Sequence, residues 1–243
     1  MAESNDQYAA DLTIPGMSEI NPYYQQLTQE QINAGTHRDM VGGMWEEIGR
    51  LQFEFLRARG LKPSHRLLDI GCGSLRGGIH AIEYLEAGNY YGLDINPSLI
   101  KAGRHELKLA GLTHKNPHLA ISDHFELGLF REKFDYLLAL SVFTHLFANH
   151  IIRCLAEVRE VLAPEGRFFA TFFLAPHSAH LAPIVHQPGG VKTEYDRDPF
   201  HYSPDEIRTM AKLANLRAEI IGDWNHPRAQ QMLMFLPSLP FNQ

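Results

Sequence analysis

The chain has 243 residues and a mass of 27.6 kDa, enough for one globular domain with added elements and too much for a small stapled scaffold. Hydrophobic residues make up 44% and charged residues 21%, which excludes disorder over most of the length. A formal net charge of −6 with no long run of one sign leaves no electrostatic footprint for wrapping a nucleic-acid duplex, so the expected partner is a small molecule and neither nucleic acid nor membrane. The only cysteines, Cys72 and Cys154, fit a reducing compartment better than a disulfide framework. The start, Met1 to Asp6, carries acidic residues rather than a positive region ahead of an apolar stretch. No apolar run approaches ~20 residues. The expected location is cytoplasmic, and a homodimer stays open as the assembly.

Residues 1–36 are polar and turn-rich, with Pro15-Gly16, Asn21-Pro22 and Ala34-Gly35. They read as an irregular arm with one short helix after Thr28, where Gln31 has the spacing of a capping box. Between Met44 and Leu61, Trp45, Ile48, Leu51, Phe55 and Leu56 recur at three- and four-residue intervals, and Gly60 with Pro63 supplies a stop; this predicts an amphipathic helix. Arg66 to Ile70 is a short apolar strand followed by the turn Gly71-Cys72-Gly73 and a helical stretch to about Leu85. The pattern then repeats. Strands are expected at Tyr90–Asp94, His118–Ile121, Phe134–Leu140 and Arg167–Phe173, and helices at Leu99–Leu109, after the start signal Asn96-Pro97-Ser98, and at Asn149–Leu162. Alternating strand and helix predicts a parallel sheet covered on both faces. Pro204–Leu213 reads as a helix, and Ala218–Ile221 and Met232–Phe235 as strands joined by a link too short for a parallel crossover, hence antiparallel. Residues 174–202, rich in Pro, Gly and His, have no clear period, and a loop of that length in a compact domain is functional or disordered.

The glycine turn admits several nucleotide-site readings. A phosphate-cradling loop would require lysine where Ile79 follows Gly78, and a dinucleotide fingerprint would require glycine where Arg76 stands, with Gly77 one residue late. What remains is Asp69-x-Gly71-x-Gly73, an acidic residue at a strand end before a turn against which a ligand can lie. Asp94 ends the second strand about 20 residues beyond the first glycine, where a carboxylate accepts from both hydroxyls of a ribose. Such a ligand carries an adenosine.

Here the sequence resembles the class I S-adenosylmethionine-dependent methyltransferases. The resemblance rests on Leu67-Leu68-Asp69-Ile70-Gly71-Cys72-Gly73, Tyr91-Gly92-Leu93-Asp94, Ser122-Asp123-His124, Phe134-Asp135-Tyr136-Leu137-Leu138-Ala139-Leu140 and Leu162-Ala163-Pro164-Glu165-Gly166-Arg167, and it covers about residues 60–236. It implies S-adenosylmethionine as cofactor. Gly71 and Gly73 would lie under its methionine portion, Asp69 would help hold its amino group, Asp94 would bind the ribose, and Asp123 and His124 would flank the adenine. Cys72, Ile95 and Ser141 complete the expected cofactor-binding set. The charges agree, because a sulfonium ligand has no phosphates and a carboxylate near its ammonium is favourable.

The acceptor is expected above the carboxyl ends of strands four and five. His145, just beyond strand four, is the first candidate for general base, because imidazole suits proton transfer at neutral pH. His201 is the second, with Tyr202 and His177 as acceptor contacts. Arg76 is expected to address an anionic group of the acceptor from a helix N-terminus. The segment His37 to Trp45 reads as a lid in which Arg38 and Trp45 face the site and Gly42-Gly43 is the hinge. The four histidines of 177–201 lack the spacing of a metal site, and no metal is expected. Asn21-Pro22-Tyr23-Tyr24 is similar to the motif of base-modifying amino-methyltransferases but lacks its second proline and its preceding strand.

The expected architecture is α/β: a Rossmann-like doubly wound, seven-stranded, mostly parallel sheet with a C-terminal antiparallel hairpin. Residues 1–62 form the arm and capping helix, and residues 63–243 the methyltransferase domain with its acceptor loop at 174–202. The expected activity is methylation of a small-molecule hydroxyl, as in a sugar, cyclitol or secondary metabolite. N-methylation of a small amine or protein side chain, for which Glu194 would matter more, and a non-catalytic cofactor-binding partner are the alternatives.

Overall fold

A computed structural model describes residues 25–238, so the expectations for the first 24 residues, Asn21 to Tyr24 included, lie outside the described residues. Thr28 caps the first described helix, α1 (Gln29–Asn33), in the expected capping box with Gln31. Two further helices follow, α2 (Thr36–Met40) and α3 (Trp45–Ala58). Along α3, Ile48, Gly49, Gln52 and Leu56 form the buried face. Gly49 is required there: a Cβ would meet the Arg76 carbonyl oxygen at 2.5 Å, which is how closely α3 lies against the glycine turn.

The central sheet begins with β1 (Leu67–Ile70), β2 (Tyr90–Asp94), β3 (His118–Ile121), β4 (Phe134–Ala139) and β5 (Leu162–Leu174), all parallel. Helices α4 (Gly78–Tyr84), α5 (Pro97–Leu109) and α6 (Ala148–Val161) make the crossovers. α5 starts where the sequence signals it, with the Asn96 side chain accepting from Ser98 N at 2.8 Å and Pro97 in the first turn. After α7 (Pro204–Leu213), capped reciprocally by Ser203 and Glu206, come β9 (Leu216–Gly222) and β10 (Gln231–Pro237). The order across the sheet is β3-β2-β1-β4-β5-β10-β9, with β10 inserted antiparallel between β5 and β9.

The strand count differs from the expected seven. β5 runs on to Leu174, and its last residues pair with a two-residue strand β8 (His201–Tyr202), making an eighth strand. The 174–202 connection also holds a small antiparallel ribbon, β6 (Ile184–His186) with β7 (Val191–Thr193), too short for its period to be read from sequence. Among the described residues no helix is long and apolar enough to cross a membrane.

The sheet's pleat divides the core in two. Leu137, Ala139, Phe168 and Phe172 point to the side covered by α6 and α7, while Tyr136, Leu138 and Phe169 point to the side covered by α3, α4 and α5. Both faces of the parallel strands are therefore apolar, as a doubly covered sheet requires. Phe172 is fully buried and its ring meets those of Phe143, Tyr202 and Phe235. Phe172→Ala is expected to lower unfolding stability by about 3–5 kcal/mol, read as a lower urea midpoint with an unchanged slope.

Candidate functional site

The polypeptide turns at the carboxyl ends of β1, β2 and β4 surround a cavity of about 170 Å³, where open α/β sheets place their ligands. At the end of β1 the chain reverses through Gly71 (φ +72°) and Gly73 (φ +53°), left-handed conformations that glycine adopts without steric cost. A Cβ on Gly71 would lie 2.4 Å from Val142 Cγ2, so the turn and the end of β4 approach as closely as they do because a side chain is missing. The Gly71 and Cys72 amides both donate to the Leu93 carbonyl, at 2.7 and 3.0 Å.

Asp94 joins two turns. Its Oδ2 accepts from Gly73 N and its Oδ1 from Asn96 N, each at 2.8 Å, so one buried carboxylate holds the first and second strand-to-helix turns in register. Burial pushes its pKa up, with the amides of Asn96, Gly73 and Ile95 pulling against that. Each oxygen keeps a further lone pair for a ligand hydroxyl.

Asp69 lines the same cavity from the adjoining strand β1. Tyr90 donates its hydroxyl to Oδ2 at 2.8 Å. Burial pushes the Asp69 pKa up to about 7; the hydrogen bond from Tyr90 opposes this, the charge of Asp94 adds to it, and Arg76 and a hydrogen bond from Gln52 oppose it. A buried carboxyl held partly neutral in this way gains its charge readily when a cation arrives.

The sequence-predicted residues divide into two sets. Gly71, Cys72, Gly73, Ile95, Asp123, Ser141 and His145 line the cavity together with Asp69, Asp94 and Arg76. The others lie elsewhere. His124 is exposed beside the Asp123 carboxylate and outside the cavity wall, its amide taken by Ser122 Oγ. His201 is fully buried, with Nδ1 at 2.7 Å from Thr193 Oγ1 and Nε2 at 2.6 Å from the His180 carbonyl; both ring nitrogens are used, and it does not line the cavity. Tyr202 donates to the Leu146 carbonyl at 2.6 Å and packs in the core. His177 is exposed, near Asp205 and stacked on His180.

The segment His37 to Trp45, expected as a lid, lies beside the cavity through Val41, but its other side chains are arranged differently. Arg38 and Trp45 do not face the cavity. The Arg38 guanidinium grips both Glu106 oxygens at 2.9 Å and lies 5.0 Å from the Trp45 ring, while His37 Nε2 takes Glu106 Oε1 at 2.7 Å. The Glu106 carboxyl, although desolvated, is drawn below its usual pKa by Arg38 and then His37. Val41 is the side chain that reaches the cavity. Arg76 donates through Nη1 to the carbonyls of Val41 and Gly43, at 2.7 and 2.9 Å, and Arg228 donates to that of Gly42 at 2.7 Å. Arg76 therefore ties the strap 41–43 over the glycine turn, a task its position in the sequence does not announce.

Beyond the end of β4, Ser141 has φ +57°, a conformation costing a non-glycine residue about 1–3 kcal/mol. Its amide donates to Thr171 Oγ1 at 2.8 Å and its hydroxyl to Gln230 Oε1 at 2.9 Å, which hold it there. The 3-10 turn Phe143–His145 then presents His145, whose Nδ1 lies 2.5 Å from Asp198 Oδ1 on the 174–202 loop. Sequence reasoning missed Asp198, Gln52 and Val41. Only Gln52 left a signal: it is the polar residue in the otherwise apolar Ile48–Gln52–Leu56 stripe of α3.

Comparison with known proteins is consistent with this geometry. Residues 68–168 match the family model described as a methyltransferase domain. The ribosomal protein L11 methyltransferase of Caldanaerobacter subterraneus is 35% identical over 113 residues, which are 46% of this chain and 33% of that protein; the chain spans about a third of the length of the curated relatives it matches. Among solved structures, an S-adenosylmethionine-dependent methyltransferase from Clostridium acetobutylicum superimposes with a TM-score of 0.63 at 11% identity, covering 87% of this chain and all (100%) of that one. The magnesium protoporphyrin IX methyltransferase of Synechocystis, with S-adenosylmethionine bound, gives 0.55 at 16% identity, covering 93% and 92%. The fold is shared with these proteins.

The Asp69 pKa of about 7 sits above that of an unfolded carboxyl, so the native state retains an extra proton between about pH 4 and 7. Stability from this group is full at the acid end and is lost as pH rises through 7. In thermal melts without ligand, Asp69→Asn is expected to gain on the wild type from pH 5 to pH 8. A gap that stays constant with pH would show an ordinary carboxylate.

Proposed function

We propose that this chain, a class I S-adenosylmethionine-dependent methyltransferase, transfers the methyl group to a hydroxyl of a small-molecule acceptor. The cofactor fits the donor set of the cavity: two buried carboxylates from adjacent strands, and a glycine turn whose missing Cβ atoms leave backbone exposed to a ligand. Carboxylates repel a pyrophosphate and attract an ammonium and ribose hydroxyls. In this reading Asp94 accepts from the ribose, Asp69 from the amino group, and Gly71 to Gly73 support the amino-acid portion. Asp123, Ile95 and Phe125 border the adenine. When bound, S-adenosylmethionine supplies a methyl carbon activated by positive sulfur.

The remaining work falls to the chain. It aligns the acceptor, excludes water and takes a proton from the acceptor oxygen. The observation that carries the hydroxyl reading is the pairing of His145 with Asp198 at the acceptor end of the cavity. A carboxylate on Nδ1 holds the ring with its lone pair on Nε2, the arrangement a general base needs. An amine acceptor would call more on a carboxylate, and Glu194, the candidate for that role, is paired with Lys192 and Arg197 and does not line the cavity.

Methyl-labelled cofactor incubated with phenols, sugars, aliphatic alcohols, carboxylic acids and amines tests the reading. Label is expected in a hydroxyl acceptor, and label appearing only in amines would overturn the hydroxyl assignment. Asp94→Ala is expected to weaken S-adenosylhomocysteine binding by about 10- to 100-fold in calorimetry, as for the loss of hydrogen bonds to a charged group. His145→Gln is expected to leave that affinity within about twofold and to lower turnover by about 100-fold or more.

A further inference from the structure

We propose that Asp198 is a positioning residue which, carried on the 174–202 loop, fixes the tautomer and direction of His145, so that the base is assembled only when that loop is seated. The inference rests on the reading of His145 as the base. Asp198 comes from a different part of the chain from the side assigned to the cofactor, and the backbone next to it is located by the 3-10 turn that carries His145. Two residues on, Phe200 N donates to the Thr144 carbonyl at 2.8 Å, next to His145. The Pro199 carbonyl accepts from Glu194 N at 3.0 Å, and Glu194 and Phe200 form a parallel bridge. Phe200 is buried with its ring 4.8 Å from that of Phe147, and the adjoining His201 and Tyr202 are paired to β5. The carboxylate therefore reaches His145 from a frame tied on both sides of the imidazole.

A neutral imidazole with no partner on Nδ1 divides its proton between the two nitrogens. The Asp198 carboxylate accepts only, so it requires hydrogen on Nδ1 and leaves the lone pair on Nε2. During transfer a lone pair of the acceptor oxygen forms the new oxygen–carbon bond as the carbon–sulfur pair passes to sulfur, leaving a neutral thioether, and the O–H pair stays on oxygen as its proton departs. The proton goes to Nε2, and the imidazolium is matched by Asp198 until water takes the proton. A loop lifted from the cavity removes the carboxylate and with it the ordered base, which couples acceptor enclosure to proton removal.

The test uses the full chain with S-adenosylhomocysteine bound and selectively labelled histidine. The ring nitrogen shifts of His145, read at a pH where the imidazole is neutral, are expected to report the Nδ1–H tautomer in the wild type and a move towards Nε2–H in Asp198→Ala. With the acceptor found by the labelled-methyl screen, Asp198→Ala is expected to lower kcat roughly 10- to 100-fold while S-adenosylhomocysteine affinity stays within about twofold, which also shows that the variant is folded. Asp198→Glu is expected to recover part of the rate. An unchanged tautomer in Asp198→Ala, or turnover within twofold of wild type while His145→Gln is inactive, overturns the role of Asp198 alone. Full turnover in His145→Gln overturns the base assignment and this inference with it.

Discussion

One carboxylate sets the geometry on which the site depends. Asp94 accepts from the amides of Gly73 and Asn96, and these belong to two turns that leave adjacent parallel strands. Parallel sheets bring such turns side by side but do not align them; a shared acceptor does. Because that acceptor is buried, its loss would leave two desolvated amides without partners, and each such group costs about 1–3 kcal/mol. The residue assigned to the ribose is thus also the residue that forms the floor on which a ribose would rest.

The cavity is built in two manners. On the side assigned to the cofactor its parts are strand ends and the first turns of helices, brought close by missing side chains at Gly49, Gly71 and Gly73 and joined by the one Asp94 carboxylate. On the acceptor side its parts are a strained serine, a short 3-10 turn and a long loop, joined by side chains: Ser141 to Gln230, His145 to Asp198, Tyr202 to Leu146. Rigid backbone suits a ligand common to many proteins of one fold, and side-chain contacts from loops suit the part that varies.

The elements legible in the sequence were those with a physical signature of their own. The parallel strands are continuous apolar runs, α5 and α7 carry their caps at Asn96 and Ser203, and the hairpin of β9 and β10 follows from the length of its link. The wall assigned to the cofactor consists of consecutive residues after strands, Asp69 to Gly73 and Asp94 to Ile95, so its place could be read locally. The acceptor wall could not, because its pairings span long separations: Asp198 meets His145, and Gln230 meets Ser141, through tertiary packing that no local period encodes. Histidine type and neighbourhood alone did not separate the two candidates. His201 had the right type and neighbourhood, but its ring is consumed by Thr193 and His180, and only coordinates distinguish such a satisfied histidine from one paired at a cavity. Arg76 likewise sat at the expected place and proved to bind carbonyls of its own chain.

The strap at residues 41–43 is fastened by guanidinium groups to uncharged carbonyl oxygens. Such contacts have no opposite ion for dissolved salt to compete with, so they weaken far less with ionic strength than a carboxylate pair would. The helix before the strap is anchored by the other kind of contact, the half-buried Arg38 on the buried Glu106 carboxylate. Dissolved salt therefore acts on that ion pair more than on the strap itself, so the segment over the glycine turn keeps its fastening across a wide range of ionic strength.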